Sequence, residues 1–549
     1  MSLNLWQYLL LIEIASSLFL FRYFSLAGKK AVLAFIPVYK TLVLMELTGR
    51  RKWQTLLFFI PIVNHVMWII SAYELLHVFQ RRNWTDILLS IFTLGLWLGI
   101  IPLRSDAMLV SSGLKYSAPD RAAMKKQLGE FIPSALFAIV AATIIRTFTF
   151  EAYTIPTSSM EESLMVGDFL FVSKSHYGCR LPMTPVTIPL LHADIPLVGG
   201  KSYRSEVQFP YLRLPRFQSI QRGQAFVFNT PQDVGVPIDK RRNYVKRCVG
   251  IPRDSLEVIG AQVYINGVPT GFPERANPQF NYYVRTNGNG FNRRQLKERF
   301  DINFLSAEQI RSHQDQGDVI TGSATEYIMT ISDKAIDEFR TLGNIEEIIP
   351  IDLPNKKGLP IDKKLPGLLK KYYEMNLRTE KALFPNTDDP HQEALFSYSQ
   401  DNYGPLYLPK EGDEMELNER NFNTYAETIN LFDGQRIEKR QDGFYVNGKR
   451  SDTYRWNQGY YWGMGDNRYN SQDSRFFGFV PEDHVVGKPV FIWMSWDKYA
   501  EGVKKIRTER VFTTVNGEGK RISYFWPFVI VVFGYSFWSR RRKAKQKAA

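Results

Sequence analysis

Three short stretches of this 549-residue chain bring together side chains that can do chemistry. The first is Ile155-Pro156-Thr157-Ser158-Ser159-Met160, followed by Val166-Gly167-Asp168. A hydroxyl in such a cluster is a nucleophile if a base reaches it, and otherwise a cap or turn residue. The second is Arg242-Asn243-Tyr244-Val245-Lys246-Arg247-Cys248-Val249-Gly250. Strand alternation puts Tyr244, Lys246 and Cys248 on one face and Val245, Arg247 and Val249 on the other. A lysine beside an aromatic ring and a small thiol suits partial burial. Burial disfavours the ammonium, lowers its pKa and leaves an amine able to take a proton. The same lysine on an edge strand facing water would be ordinary surface. The third runs from Gly463 to Arg475 and holds Asp466, Arg468, Asp473 and Arg475 with several small polar groups. Asp–Arg pairs would pin such a loop. A metal site fits poorly, because the arginines crowd the acids and no histidine is near.

The surrounding elements read as strands. Asp168–Lys174, Gln224–Asn229, Tyr244–Val249, Leu256–Ile265 and Val490–Trp493 are short runs of β-branched and aromatic residues. The Asn-Gly pairs in Ile265–Val268 and Val446–Lys449 are hairpin turns. Strands do not alternate with helices here, so the sheet is expected to be antiparallel. Residues 266–403 are richer in Asn, Gln, Lys and Glu. They carry helix-like pieces at Ser306–Gln314 and Ser332–Leu342, with Ser332 as N-cap, and a Pro/Lys-rich connection at Gly358–Pro366. The stretch reads as an α/β insertion.

Composition bounds the class. Lys plus Arg is 69 and Asp plus Glu 55, a net +14, with 44% hydrophobic and 23% charged residues, so the chain is not disordered. Two cysteines, Cys179 and Cys248, exclude a disulfide framework and a multi-cysteine zinc site. Cys248 is expected to fill a small core site rather than a bridge. The seven histidines are scattered singly. Apolar runs crowd the first 150 residues. A bilayer-spanning helix needs about 20 apolar residues; candidates are Leu3–Phe21, Leu56–Leu76, Ile87–Leu103, Phe131–Phe150 and a short Ile522–Trp538. Ala31–Thr48, holding Lys40 and Glu46, reads as interfacial or re-entrant. The echo of Phe35–Tyr39 in Phe59–Val63 is a brief internal repeat. The first segment lacks a basic start and a small-x-small site, so it is expected to be retained. Lys29, Lys30, Arg50, Arg51 and Lys52, then Arg104, Lys115, Arg121, Lys125 and Lys126, and the tail Arg540 to Lys547 place three loops inside. Residues of about 151–521 then face outward. The basic tail follows an apolar run and fits anchoring better than nucleic-acid binding.

Taken in order, Ile155–Met160 with Val166-Gly167-Asp168-Phe169, the Arg222-Gly223 turn, Tyr244–Gly250, and Gly465–Arg475 followed by Gly478-Phe479-Val480-Pro481 resemble the successive sequence boxes of bacterial type I signal peptidase. The resemblance covers about 150–265 and 404–500. It implies a serine–lysine dyad endopeptidase on an antiparallel β scaffold. Ser159 would be the nucleophile and Lys246 the general base. The Ser159 N–H and the Thr157 hydroxyl would hold the oxyanion. Ser471 would orient the lysine and Tyr244 keep it dry. Asp466, Arg468, Asp473 and Arg475 would support the site. Tyr153, Ile155, Leu164 and Val245 would line pockets for the small side chains of a small-x-small cleavage site. Expected partners are preprotein signal peptides, the lipid bilayer and the secretion translocon, with no nucleic acid, cofactor or metal. The expected location is the bacterial inner membrane, with the catalytic domain on its outer face.

The implied organisation is a multi-span region 1–128, a transmembrane helix 129–150, a catalytic domain in 151–265 and 404–500, the insertion 266–403, a transmembrane helix 522–538 and a basic tail 539–549. The chain departs from the family in four places. Thr157 stands where many members have serine. Glu161-Glu162-Ser163 stands where apolar residues and proline are usual. Tyr469 stands where Asp is common. The additional spans are extra. Two other readings are a self-cleaving Ser-Lys regulator of the SOS-repressor kind, which lacks membrane spans, and a non-catalytic membrane scaffold with a decayed dyad, against which the intact Ser159, Lys246 and Ser471 argue.

Overall fold

A computed structural model of the chain describes residues 5–60, 62–78, 85, 86, 89, 97, 131–196, 198–288, 290–304, 317–353, 365–379, 383–385, 396, 398–498, 500 and 502–548. The apolar run Ile87–Leu103 for the most part, the basic loop that follows it, all of Ser306–Gln314 and most of Gly358–Pro366 lie outside these residues. The chain forms two compact units. One comprises Met1–Phe150, Arg180–Leu214 and Gly235–Arg241; the other comprises Glu151–Cys179, Pro215–Val234 and Arg242–Ala549.

The second unit is built on a curled eight-stranded sheet. Its strand order is Phe150–Thr154, Asp168–Ser173, Val485–Ser495, Ala225–Asn229, Asn243–Gly250, Tyr460–Met464 and Val480–Pro481, with Thr513–Thr514 added beside Val485–Ser495. The registered pairs are antiparallel, as the missing strand–helix alternation leads one to expect. Alternation along Asn243–Gly250 sorts its side chains. Val245 joins an apolar cluster with Ile155, Leu164 and Val227, while Tyr244 and Cys248 pack with Phe226 and Phe228 on the opposite face. The run Leu256–Ile265 is a hairpin rather than one strand. Ser255–Ile259 pairs with Gln262–Ile265, and the break falls at Gly260 and Ala261, both at positive φ. Both expected Asn-Gly turns form, with Asn266, Gly267, Asn447 and Gly448 all at positive φ. Tyr403–Tyr407 returns to pair with Ser255–Ile259, so the chain between them is spliced into this small sheet.

Within that stretch a second sheet runs in the order Ile345–Pro350, Gln279–Thr286, Glu326–Ser332, Val319–Thr321 and encloses its own core of Val284, Leu296, Met329 and Phe339. Ser332 is not a helix cap. It ends a strand opposite Gln279, and the helix is only Ile336–Arg340, entered from Ala335. Ladder hydrogen bonding from Gln279–Thr286 outweighs the local capping preference of the serine. Residues beyond 500 also belong to this unit. Thr513–Thr514 extends the large sheet, and Arg510 meets the buried Asp168 through Nε, 3.1 Å from Oδ1.

The first unit is mainly helical: Leu5–Leu26, Pro37–Leu47, Val63–Val78 and Phe131–Phe148, with 3₁₀ turns at Ala31–Phe35 and Lys52–Phe59. Leu20, Phe24, Leu44, Val66 and Ile70 form its core. Each half of the FIP echo ends one of those 3₁₀ turns and leads into a helix. The expected single span Leu56–Leu76 is corrected: Ile62 has φ +70°, and a 16-residue helix starts only at Val63. The helix Pro37–Leu47 has 11 residues, about 16 Å, well short of a bilayer core of about 30 Å. Its Lys40 is buried, 2.8 Å from Glu13 Oε1, and Arg50 Nε lies 2.6 Å from Glu74. Among the described residues no helix is long and apolar enough to cross a membrane. Residues 180–214 and 235–241 group with this unit because they bond each other. Asp239 accepts the backbone N–H groups of Met183 and Thr184 at 3.0 and 2.9 Å.

Candidate active site

Ser159 sits in a one-turn 3₁₀ segment, Ser158–Met160, that follows the strand Phe150–Thr154. Its neighbours Ser158 and Met160 point inward and are buried, so the turn presents the Ser159 side chain toward the strand Asn243–Gly250. Lys246 Nζ donates to Ser159 Oγ at 2.7 Å. The lysine is 4% exposed. Burial lowers its pKa from 10.5 to about 8; Asp473 and Asp466 oppose the shift and Arg475 adds to it. The Tyr244 ring lies 5.7 Å from the ammonium.

The polar loop Gly465–Arg475 is the other wall. Asp473 is wholly buried and accepts Arg475 Nε and a terminal guanidinium nitrogen, each at 2.9 Å; it also takes the Gly465 N–H at 2.9 Å. Burial alone would raise the Asp473 carboxyl, but Arg475 holds it below the usual range. Asp466 takes Arg247 Nε at 2.7 Å and, against the same burial, is also held low. Arg475 donates onward to the Arg468 carbonyl at 2.6 Å. Among the described residues Arg468 forms no ion pair; it lies 5.1 Å from the Phe272 ring and 3.3 Å from Met464 Sδ, and burial, then Arg475, lower its pKa to about 10.

This loop also holds the serine turn directly. Asn467 N–H donates to the Ser159 carbonyl at 3.1 Å, and Asn470 Nδ2 donates to Ser158 Oγ at 2.8 Å. A Cβ on Gly465 would lie 2.5 Å from the Ser159 carbonyl oxygen and 2.1 Å from Ser471 Oγ. A Cβ on Gly463 would lie 3.1 Å from Lys246 Cβ. Two glycines thus let the loop close on the two reacting residues. Asn467, Asn470, Gly463 and Gly465 lie inside the motif that the sequence reads through its charged members. The GMG spacing was the available signal.

The sequence-derived residues are brought together with one difference. Tyr153, Ile155, Leu164 and Val245 share a single apolar cluster. Thr157 is exposed, at φ −127° and ψ 155° immediately before the serine turn. Ser471 lies beside Gly465, but its hydroxyl makes no hydrogen bond among the described residues, so the contact expected to orient the lysine is not formed; the amine is held by Ser159 instead. The Glu161-Glu162 departure is accommodated by burial. Glu161 accepts the Val166 N–H, and its carboxyl is pushed well up by burial and then by Asp301 and Asp318. Tyr469, in place of the usual Asp, reaches Asp401 at 2.6 Å and the Ile351 carbonyl at 2.8 Å. Burial pushes the Cys248 thiol far up, which leaves it inert as a rival nucleophile, and Cys248 is in no disulfide. Among the described residues no group of His, Cys, Asp or Glu is placed to hold a metal ion.

Residues 128–322 and 450–496 match the family described as signal peptidase, peptidase S26. The chain belongs to the peptidase S26 family. Residues 32–108 separately match a family of unknown function. Signal peptidase I of Haemophilus influenzae is 26% identical over 459 residues, covering 81% of this chain and 96% of that protein. The Buchnera aphidicola (Acyrthosiphon pisum) signal peptidase I is 24% identical over 68% of this chain and 76% of its own length. That of Rickettsia massiliae is 30% identical over 143 residues, 26% of this chain and 43% of its own. The S26 peptidase described here is therefore a serine endopeptidase, and its two matched segments contain Ser159, Lys246 and Asp466 to Arg475.

Proposed function

We propose that this S26 peptidase removes signal peptides from exported preproteins after a small-x-small site, with Ser159 as nucleophile and Lys246 as general base. The observation that carries the reading is the 2.7 Å hydrogen bond between a buried amine and a half-buried serine hydroxyl. Lowering the lysine pKa from 10.5 to about 8 raises its neutral fraction at pH 7 from about 3 in 10,000 to about 1 in 10. The neutral amine takes the Ser159 proton as Oγ attacks the scissile carbonyl, and the ammonium then protonates the leaving amine. The Ser159 N–H and the Thr157 hydroxyl, which reaches the site by rotating about its exposed χ1, hold the oxyanion. The cluster of Tyr153, Ile155, Leu164 and Val245 accepts the small apolar side chains. Ser471 orients the ammonium once the lysine has taken the proton and released Ser159.

The same reading anchors the protein to the bacterial inner membrane with its catalytic unit outside, near the translocon. Leu10, Ile14, Leu18 and Phe21 are exposed at helical spacing on Leu5–Leu26, and Ile530, Val531 and Phe533 are exposed on Phe525–Ala548, surfaces that water leaves unpaid and lipid would cover. The test is cleavage of a synthetic preprotein by the full chain. Ser159→Ala and Lys246→Ala should each lose activity by at least about 10³-fold while keeping the wild-type melting temperature. Activity persisting in folded Lys246→Ala excludes the dyad.

A further inference from the structure

The C-terminal segment between the large sheet and the last helix borders a partly open cavity of about 230 Å³ whose lining includes Ser163, Arg222, Arg247, Arg275, Glu518 and Arg521. A water occupies about 30 Å³ of liquid, so the space exceeds what a few waters fill. Two of its four arginines are matched: Arg247 by Asp466, and Arg222 by Asp254, with Nε 2.7 Å from Oδ2. The other two are not. Arg275 donates only to neutral acceptors, among them the carbonyls of Asn516 and Glu518 at 3.1 Å each and Thr514 Oγ1 at 2.6 Å. Arg521 donates to the Ser163 carbonyl, while its Nε is shut away from solvent with no partner among the described residues. Glu518 is the only acid among the lining residues. Asp254 and Asp466 are taken by Arg222 and Arg247, Glu274 Oε2 beside Arg275 is taken by the Gly519 N–H at 2.8 Å, and among the described residues Glu518 forms no ion pair with Arg275 or Arg521. Burial, and then Arg510, lower the Arg521 pKa to about 9; Asp168 opposes the shift, and Arg247 and Arg275 add to it.

A buried donor without an acceptor is costly, and guanidiniums without carboxylate partners around a partly open pocket are stabilised by an anion. Planar arginine forks match tetrahedral phosphate oxygens in pairs. We propose that this cavity is a binding site for a phosphate group, held by Arg521 and Arg275. Its position is informative at both ends. Arg521 lies four residues before the apolar helix Phe525–Ala548, and the carbonyl it holds belongs to Ser163, four residues after Ser159. An occupant therefore braces the loop that carries the reactive serine. The phosphate comes from a lipid headgroup or from the free ion. Only the lipid source depends on the membrane reading above.

The test uses the full chain in neutral detergent at fixed ionic strength. Inorganic phosphate should raise the melting temperature saturably, by about 3 °C or more near saturation, where chloride does not. The rise should vanish in Arg521→Gln and partly return in Arg521→Lys. The phosphorus resonance of phosphate should broaden on adding wild type, a readout that needs no variant. If micellar phosphatidylglycerol removes the phosphate response and phosphatidylcholine leaves it, the headgroup is the source; if neither does, the site takes the free ion. Equal responses in wild type and Arg521→Gln, or no response and no broadening with wild type, would overturn the site. Preprotein cleavage by Arg521→Gln, which keeps both Ser159 and Lys246, separates failure of this site from failure of the dyad.

Discussion

Gly465→Ala tests whether the polar loop sets the position of the serine. The added Cβ would sit 2.5 Å from the Ser159 carbonyl oxygen and 2.5 Å from Ser471 Cβ. A relaxed C···O contact is about 3.3 Å, so the carbonyl must retreat by about 0.8 Å unless the loop moves instead. Rotating the Ser471 hydroxyl does not relieve the clash, because its Cβ is equally close. Retreat stretches the 3.1 Å bond from Asn467 N–H and carries Ser159 Oγ out of its 2.7 Å contact with Lys246. Misplacement of a reacting group by about 1 Å costs about 100-fold, equivalent to about 2.7 kcal/mol of transition-state stabilisation. Overpacking costs a further 1–3 kcal/mol of stability, roughly. The assay is kcat and KM on a synthetic preprotein, with thermal unfolding alongside. The loss should fall on kcat, since the apolar pocket around Ile155 and Val245 is untouched. A folded variant with kcat within about threefold of wild type would refute the idea that this close approach sets the geometry.

Two further perturbations test the charged support. Arg475→Met leaves Asp473 buried without its guanidinium and should cost about 3–5 kcal/mol in denaturant unfolding; a loss below about 1 kcal/mol would mean that the pair is not structural. Burial, then Asp301, push the Glu162 carboxyl up to about 7. Its folded pKa therefore exceeds its unfolded one, and the stability present below pH 4.5 or so is lost as pH rises through 7. Glu162→Gln keeps the acceptor for Asn277 and should stabilise the protein at pH 8, by at most about 3 kcal/mol, with little change at pH 4.5. An equal effect at both pH values would show that the carboxylate is not disfavoured.

Much of this was legible because strand alternation is a strict geometric rule. It put Lys246 beside Tyr244 and Cys248 and sent Val245 to the opposite apolar cluster. The two Asn-Gly turns were equally readable, since few residues accept positive φ in succession. Other features were hidden for physical reasons. Ser332 has the chemistry of a cap, yet seven registered positions with Gln279–Thr286 hold it in a strand. Leu256–Ile265 reads as continuous β-branched sequence, and its reversal at Ala261 carries weak local signal. The return of residues 502–521 to the large sheet depends on Arg510 reaching Asp168, a pairing more than three hundred positions apart in sequence. Glu161 and Glu162 show in the sequence only as a departure from the family pattern, and it is the tertiary fold that buries Glu161.

The most direct test of the central claim is the pH dependence of kcat/KM between pH 6 and 10. Lys246 acts when neutral, so the acid limb should carry one apparent pKa near 8, with activity rising about tenfold from pH 7 to pH 9. A profile flat across that range, or a limb at the ordinary lysine value of about 10.4, would contradict a desolvated amine taking the proton from Ser159.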